Sequence, residues 1–303
     1  MKLLRSWMGS WRLLPVLVLL SSAVSFDASA DSTVRILFTN NSNSKLSNCY
    51  CRNDSTGGLA ERVGFLRTYR EKHPDVLLLD SGGYLGLTDI EKKGPAVFKL
   101  MRIMEYDAFG IGDQELYRGY ARFMTLFGDQ TERLINASLI DSDGKPVFTP
   151  FRIFDAGEIR VGVVGILSAE TFRFFPDKSR DFAFDLPAAI LDRLVPEMRK
   201  KCDYVVVLSQ MGRKEDIALA ESREDIDLII GGHSQTLLEE AITVGKCRIV
   251  QAGKGGGRVG EVIVNIDNYR NIKEFEYKLI KIDETFEVPE DIKPIIEQFK
   301  TSK

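Results

Sequence analysis

The sequence predicts an α/β fold of mixed β-sheets flanked by helices, and three observations predict it. Short, near-continuous Val/Ile/Leu runs recur along the chain, as strands covered on both faces require. Helical stretches lie between several of these runs. After Gly253 the alternation stops, and two strands follow around a polar turn, the pattern of an antiparallel hairpin.

The strand runs are "TVRILFT", "DVLLLD", "DAFGIG", "IRVGVVGIL", "DYVVVLS", "IDLIIGG", "CRIVQAG" and "VGEVIVNI". Between the first two, "GGLAERVGFLRTYREKH" sets Leu59, Val63, Leu66 and Arg70 on one helical stripe. A second helix, "LPAAILDRLVPEMRK", spaces Leu186, Ile190, Leu194 and Met198 four apart, with Asp185 as the expected N-cap. The closing hairpin is "VGEVIVNIDNYRNIKEFEYKLIKI", and "PEDIKPIIEQFK" ends the chain as a short helix. No internal repeat, low-complexity tract or long linker interrupts the order, so residues 31–303 read as one domain.

Residues 1–30 read as a secretory signal. Lys2, Arg5 and Arg12 precede the apolar run "LLPVLVLL", and "ASA" at Ala28 to Ala30 offers a small-residue cleavage site. The run falls short of the roughly 20 residues a spanning helix needs, so no stable membrane anchor is expected after cleavage. Export to a periplasmic or extracellular space follows. Removing Lys2, Arg5, Arg12 and Asp27 from a chain of formal charge −3 leaves −5, which gives no reason to expect nucleic-acid or anionic-membrane binding. The four cysteines, Cys49, Cys51, Cys202 and Cys247, would meet an oxidising compartment but are too few to build the fold. Asn-x-Ser sequons stand at Asn40, Asn53 and Asn136.

In α/β sheets, functional groups gather at the carboxyl ends of strands. The residues found there are "TNNSN", "DSGG", "GDQE", "LSQMG" and "GGHSQT". Their order and spacing resemble the calcineurin-like metallophosphoesterases, and within them the exported 5′-nucleotidase and UDP-sugar hydrolase branch. That branch carries Thr-Asn-Asp-x-His-Gly, Asp-Ala-Gly-Asp, Gly-Asn-His-Glu, Leu-Ser-His-x-Gly and Gly-Gly-His-Ser-His-Thr. The likeness runs from Thr33 to about Ile282 and implies a metallophosphoesterase-like sandwich. The substrate-binding C-terminal domain of full-length nucleotidases has no matching stretch in this sequence. Cys49 and Cys51 are similar to the Cys-Gly-Cys of one bacterial subgroup, some of it selenoprotein-like.

The resemblance implies two divalent cations, a bridging carboxylate, imidazole ligands and a metal-bound hydroxide that attacks phosphorus. This chain departs from that set. Asn41 and Asn43 stand for the Asp and His of the first loop, and Gly83 for the bridging Asp. Asp113 replaces the ligating Asn, and Gln114 the His that assists the leaving oxygen. Gln210 replaces the fourth-loop His, and in the fifth loop His233 remains while its partner is Gln235.

A neutral carbonyl oxygen brings no charge to offset a dication, and it cannot match imidazole nitrogen for Zn, Mn or Fe. Losing a residue that merely orients a ligand lowers metal affinity roughly 10- to 100-fold. Replacing most of the ligands should therefore abolish tight two-metal binding. The expected cofactor is none, or at most one weakly held divalent cation at Asp80, Asp113 and His233, with amide oxygens of Asn41 or Asn43. His233 reads otherwise as a histidine hydrogen-bonded within a tight loop, and His73 as a surface cation at a helix end.

"GKGGGRVG", Gly253 to Gly260, suggests a phosphate cradle at first sight. No Lys-Ser/Thr follows and the next element reads as a strand, so a loop packed close to the site is the better reading. Cys49 and Cys51 would close a small, strained and easily reduced ring if bridged to each other; bridges to Cys202 or Cys247 are the alternative. The sequence thus leads to an exported, non-hydrolytic binding or thiol-redox accessory protein, its partner an unknown small molecule or redox protein. The alternative is a residual phosphoesterase working with one cation.

Overall fold

The computed structural model describes residues 32–48, 56–88, 90–128, 130–179 and 182–300. Asp31–Lys303 forms one compact unit. The proposed signal segment and the pair Cys49 and Cys51 lie outside the described residues. Among those residues no helix is long and apolar enough to cross a membrane.

The chain begins with β1 (Ser32–Thr39), α1 (Leu59–Lys72), β2 (Leu77–Asp80), α2 (Ile90–Met104), β3 (Ala108–Phe109) and α3 (Tyr120–Phe127). It continues through β4 (Leu139–Ile140), β5 (Phe151–Ala156), β6 (Ile159–Ile166), β7 (Ala183–Phe184), α4 (Pro187–Arg199), β8 (Tyr204–Ser209) and α5 (Arg213–Glu221). The last elements are β9 (Leu228–Gly231), β10 (Ile242–Val244), β11 (Cys247–Val250), β12 (Arg258–Ile266), β13 (Ile272–Lys281) and α6 (Lys293–Lys300).

Two mixed sheets result. The five-stranded one runs β13-β12-β1-β2-β3, parallel from β1 to β3, with the predicted hairpin antiparallel at its other side. The six-stranded one runs β10-β11-β9-β8-β6-β5, parallel in its four central strands and antiparallel at both edges. β4 and β7 make a separate two-stranded ribbon.

Strand alternation explains the layers. Val34, Ile36 and Phe38 of β1 share one core with Val206 and Leu208 of β8, so this cluster lies between the sheets. Leu37 and Leu78 instead join a core with residues of α1, α2, α3 and α6. Val205, Val207 and Ile229 pack with Ile190, Leu191, Val195 and Met198 of α4 and Leu219 of α5. Three cores separate four layers: helices, sheet, sheet, helices.

Two helix expectations need correction. Asp185 does not cap α4: Leu186 is the N-cap, Pro187 takes the first turn, and Leu186 is 72% exposed, off the apolar stripe. Pro at the first helical position needs no donor, which removes the demand for a side-chain cap. The buried face of α1 is also broader than its stripe, because Glu61 and Arg62 are buried beside Leu59 and Val63.

Register sets up the site. Thr39 pairs with Asp80 and Asp80 with Phe109, while Ser209 pairs with Gly231. The parallel strands of each sheet therefore end in line, and their loops leave from one edge.

Candidate functional site

The first loop is laid along the second by backbone bonds. Asn41 N–H donates to the Gly82 carbonyl (2.9 Å), and Asn43 N–H to that of Gly83 (3.0 Å). Asn40 ties in the Gly253 loop: its Nδ2 donates to the Gly253 carbonyl (2.8 Å) and its Oδ1 accepts from Ala252 N–H (2.7 Å). Asn40 and Asn136 are both buried, at 2% and 0% exposure, so these two sequon asparagines serve the fold as folded-state hydrogen-bonding groups.

Four site residues have left-handed backbone: Asn41 (φ 45°), Asn43 (φ 50°), His233 (φ 58°) and Gln235 (φ 53°). Asparagine tolerates that region better than most residues, so the two first-loop amides suit their turns.

Asn41 and Gln210 occupy the centre. Asn41 Oδ1 accepts from the backbone N–H of His233 (3.2 Å) and, at 3.5 Å, from Gln210 Nε2. The Gln210 carboxamide fills the space among three glycines. A Cβ at Gly232 would lie 2.0 Å from its Nε2, and one at Gly112 2.9 Å from its Oε1. Gly83 faces Asn41, whose Oδ1 would lie 2.5 Å from a Cβ there; with φ at +72° the position also favours glycine. A side chain at Gly83 would thus collide with the Asn41 amide.

Asp113 and His233 are brought together, Oδ1 to Nδ1 at 3.4 Å. Asp80 is wholly buried and spent within the protein: one oxygen accepts from Thr39 Oγ1 and the other from Gly82 N–H (2.7 Å). Burial pushes the Asp80 carboxyl up, against these two hydrogen bonds and the Arg62 guanidinium. Among the described residues, no group of three or more His, Cys, Asp or Glu is placed to hold a metal ion. The residue types present do not fit a two-metal centre.

Polar atoms are left over. Asn41 Nδ2, Asn43 Oδ1 and Gln114 Oε1 are buried with no hydrogen-bond partner among the described residues. Each is a group that a small polar ligand could satisfy. Open space lies on two sides: a cleft of about 460 Å³ meets His233, Met211 and Arg213, and one of about 430 Å³ meets Asn43 and Gln235.

Two carboxylates were not singled out from sequence. Glu115 stands in the quoted third loop and accepts from the backbone N–H groups of Gly83 (2.9 Å), Leu85 (3.0 Å) and Gly112 (2.8 Å). Burial pushes it up to about 7 despite those bonds. Asp216, in α5, accepts from Ser209 Oγ and is pushed up to about 7 by burial. Its other oxygen is buried without a partner among the described residues. Nothing in the sequence marks it, since its burial depends on α5 packing back over β8 and β9.

No family model matches the chain. Human 5′-nucleotidase is 26% identical over 290 residues, 88% of this chain and 50% of that protein. A 5′-nucleotidase precursor from Thermus thermophilus superposes with a TM-score of 0.75 at 24% identity, over 88% of this chain and 58% of that one. The calcineurin-like phosphoesterase YfkN of Bacillus subtilis gives 0.73 at 17% identity, over 88% and 96%. The chain spans about half the length of the human relative. The chain is thus similar in sequence to 5′-nucleotidases and shares its fold with a 5′-nucleotidase precursor and a calcineurin-like phosphoesterase.

Proposed function

We propose that this chain is an exported, non-hydrolytic binding protein built on the nucleotidase-type fold. The observation that carries the reading is the amide network in which Asn41 Oδ1 accepts from both Gln210 Nε2 and His233 N–H, where the resembled family keeps metal ligands. The orphaned amide atoms beside it favour a small polar ligand. Export rests on the features of residues 1–30. The test is hydrolysis by the purified protein: with Mn²⁺ or Co²⁺ added, AMP and an aryl phosphate should be turned over no faster than by buffer alone. Robust metal-dependent turnover would end the proposal.

A thiol-redox role has support of its own. Cys202 and Cys247 are free and buried in the core beneath α4 and α5. Burial pushes the Cys247 thiol up to about 12. The redox version of the proposal therefore assigns the exchange to Cys49 and Cys51. Native thiol titration should read only that pair, silent before mild reduction and giving two thiols after it. Thiols that react fully before any reductant is added would remove the redox version.

A further inference from the structure

The cleft beside the amide site has a charge pattern that the binding reading leaves unused. Lys45, Lys254 and Arg258 line it together with Asn43, Thr56 and Gln235, and no Asp or Glu is among its described lining residues. The chain as a whole carries a formal charge of −3. A concave, positive patch on an acidic protein concentrates small anions, and about 430 Å³ is a volume suited to a small molecule.

The wall of this cleft is the "GKGGGRVG" loop, and it is held in place. Gly255 N–H donates to the Asn41 carbonyl (2.7 Å), Gly253 N–H to that of Thr236 (2.9 Å), and the buried Arg62 guanidinium to that of Gly256 (3.1 Å). Gly253, Gly255 and Gly256 take left-handed φ of 80°, 69° and 67°. A Cβ at Gly257 would lie 2.5 Å from the Thr56 side chain. The loop is therefore fastened to the first and fifth loops before any ligand arrives, so little ordering opposes binding. Arg258 donates to the Gly257 carbonyl (2.9 Å), an uncharged acceptor.

We infer that this cleft is a metal-independent site for a phosphate-type oxyanion, held by Lys254 and Arg258 with the amides of Asn43 and Gln235 alongside. A guanidinium fork matches two oxygens of a tetrahedral anion, and an ammonium adds a point charge. The amides donate without adding charge of their own. The inference deepens the binding-only reading and rests on it in one respect: where no dication holds the anion, protein cations must.

Calorimetric titration of the purified protein in EDTA, with inorganic phosphate and separately with glycerol phosphate, tests the site. Saturable binding is expected, weaker as sodium chloride is added. Lys254→Ala and Arg258→Ala should each lower affinity roughly 10- to 100-fold, the loss of one charge-assisted hydrogen bond. Lys200→Ala, in an exposed ion pair at the C-terminal end of α4, should change nothing. Lys254→Gln, with circular dichroism on every variant, guards against misfolding as the cause. Tighter glycerol phosphate binding identifies an organic monoester, and equal binding identifies free phosphate. Absence of saturable binding, or binding that survives both alanine substitutions, overturns the inference. If the anion binds in EDTA while metal-dependent hydrolysis is also found, the binding-only reading falls and this site stands. If neither is found, this site falls and that reading stands.

Discussion

Asp216 is a buried acid with one oxygen satisfied by Ser209 and the other without a hydrogen-bond partner among the described residues, and it faces Glu215 on its own helix and His233 from the fifth loop. Its folded value, about 7, lies above the ordinary 3.8, so the folded state holds the proton more tightly than the unfolded chain does. Stability from this group is complete below about 4 and is lost as pH rises through about 7. Asp216→Asn removes the charge, and should stabilise the protein above pH 7 by roughly 1 to 3 kcal/mol, the usual cost of an unsatisfied buried polar group. Thermal melts from pH 4 to 8 should then fall less steeply for the variant; parallel profiles would show that Asp216 is ionised throughout. None of this was legible in the sequence, where Asp216 is one acid among several in "GRKEDIALAE". Asn41, Asn43, Gly83 and Gln210 were legible as departures from the resembled motifs because each sits at a fixed distance from a strand end. Their consequence was not: that Gln210 would pack among Gly82, Gly112 and Gly232 depends on glycines from three separate loops.

At the level of elements, the second and third loops are joined by one carboxylate. Glu115 accepts three backbone N–H groups across them, from Gly83, Leu85 and Gly112. Glu115→Gln keeps the shape and some of the acceptors, while Glu115→Ala leaves all three donors buried and unpaired. Stability should fall in the order wild type, Gln, Ala, with the last step costing about 1 to 3 kcal/mol or more. Hydrogen exchange should quicken at those same amides, and indistinguishable melting of the two variants would refute the bridging role. The strands were readable because each near-continuous apolar run supplies both faces of a covered strand, as Leu37 does for one core and Phe38 for the next. Helices were less so. Pro95 lies inside α2, which obscures an otherwise amphipathic helix, and "DAFGIG" keeps only Ala108 and Phe109 as strand before the third loop begins. The expected cap at Asp185 failed because Pro187 begins the helix by itself.

For the whole molecule, four layers bring the loops of two parallel strand sets to a common edge, and the non-hydrolytic proposal differs from the one-cation alternative in whether a metal ion binds there. Metal linkage tests the difference without relying on any substrate. A cation at 1,000 times its dissociation constant stabilises the state that binds it by about 4 kcal/mol, a rise on the order of 10 °C for a chain of this size. With Asp80 committed to Thr39 and Gly82, and with neutral amides at Asn41, Asn43 and Gln210, no such rise is expected. Melting in 1 mM Mn²⁺, Co²⁺ or Zn²⁺ should match melting in EDTA. A saturable increase of several degrees would instead show a working cation site. The pair formed by Asp113 and His233 would be its natural centre, and loss of the increase in His233→Ala would then restore the one-cation phosphoesterase as the reading of this fold.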